Sequence, residues 1–181
     1  MTAKAVQPAW RLGAILAAAT VALDQLSKYY VVEILRLGEA RFAEGQGPIT
    51  IAPFLDLSFV PNPGISYGLF PQNSEVGRWI LIGLTLAAVI FIAVWILRTR
   101  SLLTSAALGL IAGGAIGNGL DRAHYGAVVD FLHLHGGAIR WLDFPYLFNV
   151  ADAAISLGVV LLLAESLIAK KPALEQSHRT G

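Results

Sequence analysis

The sequence predicts an all-α membrane protein: a bundle of four transmembrane helices with a small extracytoplasmic β-sheet element. Two observations lead there. Of 181 residues, 56% are hydrophobic and only 14% are charged, an apolar excess typical of chains that live in a bilayer. Four stretches, at residues 12–30, 76–97, 102–120 and 150–169, each supply the roughly 20 mostly apolar residues that a helix needs to cross one. The net charge is +1 and the Lys and Arg residues are scattered, so no basic stripe points to a nucleic-acid partner. The chain has no cysteine, which excludes disulfides, a thiol nucleophile and thiolate metal ligands.

The first stretch follows Lys4 and Arg11 and contains Ala17, Ala18 and Ala19, features shared with a cleaved signal peptide. Its apolar run continues through Leu23 to Val32 and three more stretches follow, so a retained first span is the simpler reading. Lys4, Arg11, Arg98, Arg100, Lys170, Lys171 and Arg179 lie on the termini and the tight middle turn, while most Asp and Glu lie in the other two loops. The positive-inside rule then makes both termini cytoplasmic and turns residues 31–75 and 121–149 outward. Trp79 and Trp141 fall near the outer interface, and Trp10 and Trp95 near the inner one. In the first outer loop, ITIAPFLDLSFV (residues 49–60) partly alternates apolar and polar residues around Pro53, which predicts a short edge-type strand pair. The Pro and Gly content of residues 54–70 suggests a mobile lid. Residues 1–169 thus form one membrane domain, and residues 170–181 are read as an unstructured cytoplasmic tail.

With the topology set, a rise of about 1.5 Å per residue puts Asp24 roughly 18 Å above Leu12, in the outer leaflet. The third span rises to Asn118, Asp121 and Arg122, and the fourth starts at Asn149 and Asp152. Polar groups of three helices therefore meet at one level, while the inner halves of the spans are almost bare of them. An ionisable group inside a span costs about 2.5–3.5 kcal/mol and usually marks a site. The plainer reading is structural pairing, of Asp24 with Lys28 at i,i+4 or of Asp121 with Arg122.

Several motifs compete for the chemistry. Gly109, Gly113 and Gly117 recur every fourth residue, a surface for close helix packing or, less readily, for a substrate helix. GISYG would make Ser66 a hydrolase nucleophile, but the loop has no room for the sheet that a nucleophile elbow requires. Ser27 and Lys28 diverge at i,i+1 and make a poor dyad. His133 and His135 share a strand face and could hold a metal with Asp130, although no dedicated ligand set accompanies them. VVDF (residues 128–131) and FNVAD (residues 148–152) each place one carboxylate among apolar neighbours. Together these allow a pair with one member protonated and the other ionised, as activation of water against an amide requires.

At DQLSK (residues 24–28), VPNPGISYG (60–68), GGAIGNGLDR (113–122), VVDF and FNVADAAI (148–155), the chain resembles the lipoprotein signal peptidases, or signal peptidase II. The resemblance spans nearly the whole chain and includes motif order, spacing and orientation. It implies an aspartic endopeptidase of the bacterial inner membrane, working without cofactor or metal, that cuts prolipoproteins just before a diacylglyceryl-modified cysteine. It singles out Asp130 and Asp152 as the catalytic pair. Asn62, Gly64, Asn118, Arg122 and Asn149 are implied to shape the substrate pocket, with Asp24, Lys28 and Asp121 in support. The partners it implies are lipidated prolipoproteins and membrane lipid, and a monomer is expected. Two positions depart from the pattern: Gly119 stands where a bulky aliphatic residue is usual, which is expected to loosen the outer end of the third helix, and Pro63 fills the variable place of Asn-x-Gly. The reading outside this family is a transporter or channel lined by the outer polar cluster.

Overall fold

A computed structural model describes residues 8–38, 47–64, 75–135 and 147–177, the last nine by backbone alone. Four helices, α1 (Trp10–Tyr29), α2 (Glu75–Arg98), α3 (Leu102–Tyr125) and α4 (Val150–Ser177), are accompanied by strands β1 (Ile49–Ala52) and β2 (Leu55–Asn62) between α1 and α2, and β3 (Val128–Leu134) and β4 (Leu147–Phe148) between α3 and α4. The molecule is mostly helical, with a four-stranded antiparallel sheet in the order β1-β2-β3-β4. This sheet is the small β element expected beside the helices. Both long connections, after α1 and after α3, supply strands, and the expected hairpin of residues 49–60 is the β1–β2 half. Its edge character holds for β1 alone, since β2 lies between β1 and β3. Of β3, only the His133 end is read as a strand from sequence: Val128 to Phe131 are all buried, and a strand covered on both faces shows no alternation.

Among the described residues, α2, α3 and α4 are long and apolar enough to cross a membrane. Helix α1 has 20 residues, with Thr20, Asp24 and Lys28 turned inward. The burial of α2 is confined to Gly77 and Ile96, although the helix is apolar all round, which is the surface a lipid-facing helix presents. Helix α3 packs against each of the other three helices. Its N-terminus is capped by Ser101, whose Oγ accepts from Thr104 N at 3.1 Å. It ends at Gly126, whose φ of 79° lies in the left-handed region that glycine enters freely. The helix thus runs five residues past the expected end at residue 120. Hydropathy fades at Asp121 and Arg122, but the backbone ladder does not, and both side chains sit on the last turns. Helix α3 is continuous through Gly119, where a Cβ would meet Thr85 Cγ2 at 3.2 Å.

The glycine stripe is occupied by α1. A Cβ on Gly109 would come closer than 3.0 Å to the backbone of Gly13, and one on Gly113 would lie 2.6 Å from Ala17 O. That leaves no place on it for a substrate helix. Ser105, fully buried, accepts from Gly13 N at 3.2 Å and donates to Ala9 O at 2.7 Å. At the same end of the bundle Glu165 of α4 accepts from Ser101 Oγ and Thr104 Oγ1, so this end, expected to be almost bare of polar groups, carries several. Residues 170–177, expected without structure, continue α4; Ala173, Leu174, Glu175 and Gln176 are strong helix formers and extend a helix already nucleated.

Beyond α1, a π-helical turn (Tyr30–Ile34) is closed by Arg36 at φ 50° and by a bond from Leu37 N to Val31 O of 3.1 Å. Leu37 thereby enters a core with Val31, Leu57, Val129 and Phe131, which fastens the sheet to the top of α1. Between Leu57 and Val60 the register advances three residues on β2 against two on β3. This β-bulge reverses the alternation, and Asn62 faces the same side as Asp130. Trp141, Ser66 and residues 65–70 of the expected lid lie outside the described residues.

Candidate active site

The start of α4 forms the site's floor. Asn149 is the N-cap: its Oδ1 accepts from Asp152 N at 2.9 Å, while Asp152 Oδ2 accepts from Asn149 N at 3.2 Å. This reciprocal capping box explains why Asn and Asp stand three residues apart here, and it holds Asp152 in one orientation. The remaining Asp152 oxygen, Oδ1, accepts from Asn118 Nδ2 at 2.8 Å.

Strand β3 brings up Asp130, 5% exposed. Its Oδ1 accepts from Asn149 Nδ2 at 2.8 Å and its Oδ2 from Asn62 Nδ2 at 3.1 Å. Asn149, wholly buried, is thus bonded to both aspartates. Burial pushes the Asp130 carboxyl up to about 6; the Asn62 bond opposes this, the nearby Asp152 adds to it, and Asn149 and Lys28 oppose it. Asn62 is itself oriented by an Asx turn, its Oδ1 accepting from Gly64 N at 3.3 Å. Pro63 suits the middle of such a turn, with φ already fixed and no N–H to satisfy. Gly64 lies at the turn's end, half-buried.

Arg122 donates through Nη1 to Asn118 O at 3.3 Å, and the carboxylates in electrostatic reach of its guanidinium are Asp152, Asp121 and Asp130. Its Nε is buried without a partner among the described residues. Asp121 does not pair with this neighbour. It meets Lys28 Nζ at 2.7 Å, and Lys28 also meets Asp24 at 2.8 Å. Of the two structural pairings weighed from sequence, Asp24 with Lys28 forms, and Asp121 joins it instead of pairing with Arg122. Sequence reading missed Gln25, whose Nε2 bridges Asp24 Oδ2 (3.1 Å), Asp121 Oδ1 (2.9 Å) and Gly117 O (3.2 Å); the available signal was a third polar residue beside Asp24 and Lys28 in an apolar helix. Ser27 donates to Asp24 O at 2.7 Å, away from any dyad with Lys28.

The metal reading is not supported. Strand alternation turns His133 and His135 to the face opposite Asp130, where His135 Nε2 lies 3.3 Å from Asp56 Oδ2. Among the described residues no group of three His, Asp or Glu could hold a metal ion.

The family model of signal peptidase (SPase) II matches residues 16–168. The chain belongs to the signal peptidase II family. It is 48% identical over 162 residues to the lipoprotein signal peptidase of Methylocella silvestris, covering 90% of this chain and 89% of that one. It is 50% identical over 159 residues to that of Methylorubrum extorquens, with 88% and 87% covered. A bacterial membrane enzyme solved by the in meso method at 2.3 Å resolution superposes with a TM-score of 0.69 at 26% identity, over 86% of this chain and 87% of that one.

Asn149→Ala should lower both stability and prolipoprotein cleavage. Loss of an N-cap costs about 1–2 kcal/mol, and Asp130 and Asn118 lose a donor. Asn149→Ser separates the two effects, because serine restores the cap but falls short of Asp130. Thermal melting should recover in Asn149→Ser while cleavage does not; recovery of both would show that Asn149 serves only the helix.

Proposed function

We propose that this chain is an aspartic endopeptidase that cuts prolipoproteins on the amino side of a diacylglyceryl-modified cysteine, with Asp130 and Asp152 as its catalytic pair. Protease activity and the removal of signal peptides from prolipoproteins follow from the family, which does not favour the transporter reading. The aspartic chemistry rests on one observation: two carboxylates from different elements are held by a single residue, Asp130 by the side-chain Nδ2 of Asn149 and Asp152 by its backbone N–H.

In the reading proposed, Asp130 carries the pair's proton and Asp152 takes one from an attacking water. The water oxygen bonds to the scissile carbonyl carbon as Asp130 donates to the carbonyl oxygen, and collapse of the adduct passes a proton to the leaving amine. Asn118, held against Asp152, and Arg122, whose Nε has no partner among the described residues, would orient the peptide and the lipid carbonyls. Asn62 and Gly64 line the sheet side of the same space.

The same proposal takes α1 as a fourth span. Both termini and the turn at residues 99–101 would then face the cytoplasm, with the pair at the outer surface of the bacterial inner membrane and the acyl chains lying beside the helices. The enzyme would act as a monomer.

Two measurements test this. Mass spectrometry of the product should find the diacylglyceryl-cysteine at the new N-terminus, and a cut elsewhere would overturn the specificity. The second is the pH profile. With the Asp130 carboxyl raised to about 6, the pair keeps its proton below that pH and loses it above, so kcat/KM should fall as pH rises through about 6. Bound substrate excludes water and favours the neutral acid further, so the limb in kcat should lie at higher pH than that in kcat/KM. A flat kcat/KM between pH 5 and 8 would sink the shared-proton mechanism.

A further inference from the structure

We infer that Lys28 is a positioning residue for the reaction: through Asp24, Asp121 and Asn118 it holds the backbone and side-chain partners of both Asp130 and Asp152. The inference rests on the reading of that pair as catalytic.

Lys28 is 1% exposed. An ammonium has three donors, and here they reach Asp24 Oδ2 at 2.8 Å, Asp121 Oδ2 at 2.7 Å and Asn118 Oδ1 at 3.1 Å. None is left for either member of the pair. Each arm nevertheless ends beside one of them. Asp24 Oδ1 accepts from Ala151 N at 2.9 Å, and Ala151 immediately precedes Asp152. Asp121 Oδ2 accepts from Val129 N at 3.0 Å, and Val129 immediately precedes Asp130. In the third arm, Asn118 Oδ1 receives both Lys28 and Asn149 Nδ2, so its own Nδ2 has to turn to Asp152 Oδ1.

One side chain of α1 thereby links the backbone of α4, the backbone of β3 and the amide that touches Asp152. A purely stabilising role accounts poorly for this. Two carboxylates against one ammonium leave net charge in a dry interior, and well-packed apolar residues often match or better such a cluster in stability. Apolar residues cannot hold two backbone N–H groups at fixed positions, which is what the reacting pair requires.

The test compares purified Lys28→Arg and Lys28→Met with wild type on a diacylglyceryl-modified prolipoprotein, with Asp130→Asn and Asp152→Asn as controls. Arginine keeps the charge, but its planar fork cannot direct three bonds to the same atoms. Expected for Lys28→Arg is a fall in kcat of about 10- to 100-fold with KM little changed and the protein folded. Lys28→Met should lose more and should move the limb of kcat/KM to higher pH, because the Lys28 charge opposes the protonation of Asp130. The other polar groups facing Asp130 are Asn62 from β2, Arg122 from α3, and Asn149 and Asp152 from α4. If Lys28→Met does not fold, Lys28→Arg decides alone. A folded Lys28→Arg with wild-type kcat and pH profile, beside inactive aspartate variants, overturns this inference and leaves the pair standing. A Lys28→Arg chain that cannot fold makes the role structural and also overturns it. Activity in either aspartate variant would remove the pair and the inference together.

Discussion

Asp152→Asn and Asp130→Asn should each lower kcat on a diacylglyceryl-modified prolipoprotein by at least about 10³-fold, with the protein still folded. An amide can neither accept the proton of the attacking water nor donate an acidic one to the carbonyl oxygen, so each replacement removes a whole chemical role. The structural costs differ. At position 152 a single amide oxygen would have to choose between Asn118 Nδ2 and Asn149 N, a loss of about 1 kcal/mol. At position 130 both carboxylate oxygens accept from side-chain amides, so the new NH2 would confront a donor. Asn62 cannot turn over freely, since its Oδ1 holds Gly64 N, and the cost rises to about 1–3 kcal/mol. Because the two groups act as a unit, the double variant should be hardly slower than either single one. Melting in detergent checks the fold, and a wild-type rate in either single variant rules the pair out.

Gly109→Ala should be among the most destabilising small substitutions in the chain. Alanine gains about 1 kcal/mol in helix propensity over glycine. Here its methyl would overlap the carbonyl oxygen, Cα and carbonyl carbon of Gly13. These are backbone atoms, so no rotamer relieves the overlap and α1 has to move as a body, at a cost of 1–3 kcal/mol or more on the scale of about one forced methyl. Displacing α1 also strips Ser105 from Gly13 N and Ala9 O, and drags Asp24 and Lys28 from their partners on α3. Cleavage should fall with the melting temperature. Gly83→Ala on α2 is the matched control, since a Cβ there meets nothing within 4 Å; it should melt no lower than wild type. Equal melting of both variants would contradict the close α1–α3 contact.

The helices were legible because lipid-facing residues leave a simple record: long apolar runs bounded by charge. Boundaries were legible only to the extent that charge and helix ends coincide. They part at Asp121 and Arg122, which are polar yet helical, and again beyond Lys170. The sheet was half legible. β1 and β2 partly alternate, whereas β3 is buried from Val128 to Phe131 and shows no alternation there. At the site, sequence supplied the residue types and a resemblance selected among them, but the bonds were out of reach. Nothing local says that Asp121 turns to Lys28 instead of Arg122, or that Asn149 spans two carboxylates, because these contacts join residues some 20 to 100 positions apart. The capping box is the exception. Asn149 and Asp152 stand at the spacing that defines it, next to an apolar run, and could have been read as a helix start.

The extra residue between Leu57 and Val60 places a length constraint on evolution that is independent of composition. Strand side chains have a period of two, so the segment from the bulge to Asn62 behaves like a reading frame. Removing one residue there would leave every remaining side chain chemically intact and yet turn Asn62 away from Asp130, and adding one would do the same. Two-residue changes would preserve the facing but shift the contact along the strand. The turn at Pro53 and Phe54 lies on the far side of the bulge, so its length can drift without disturbing this frame. Variation in chain length among working relatives should therefore collect before Leu57 and vanish between Val60 and Asn62.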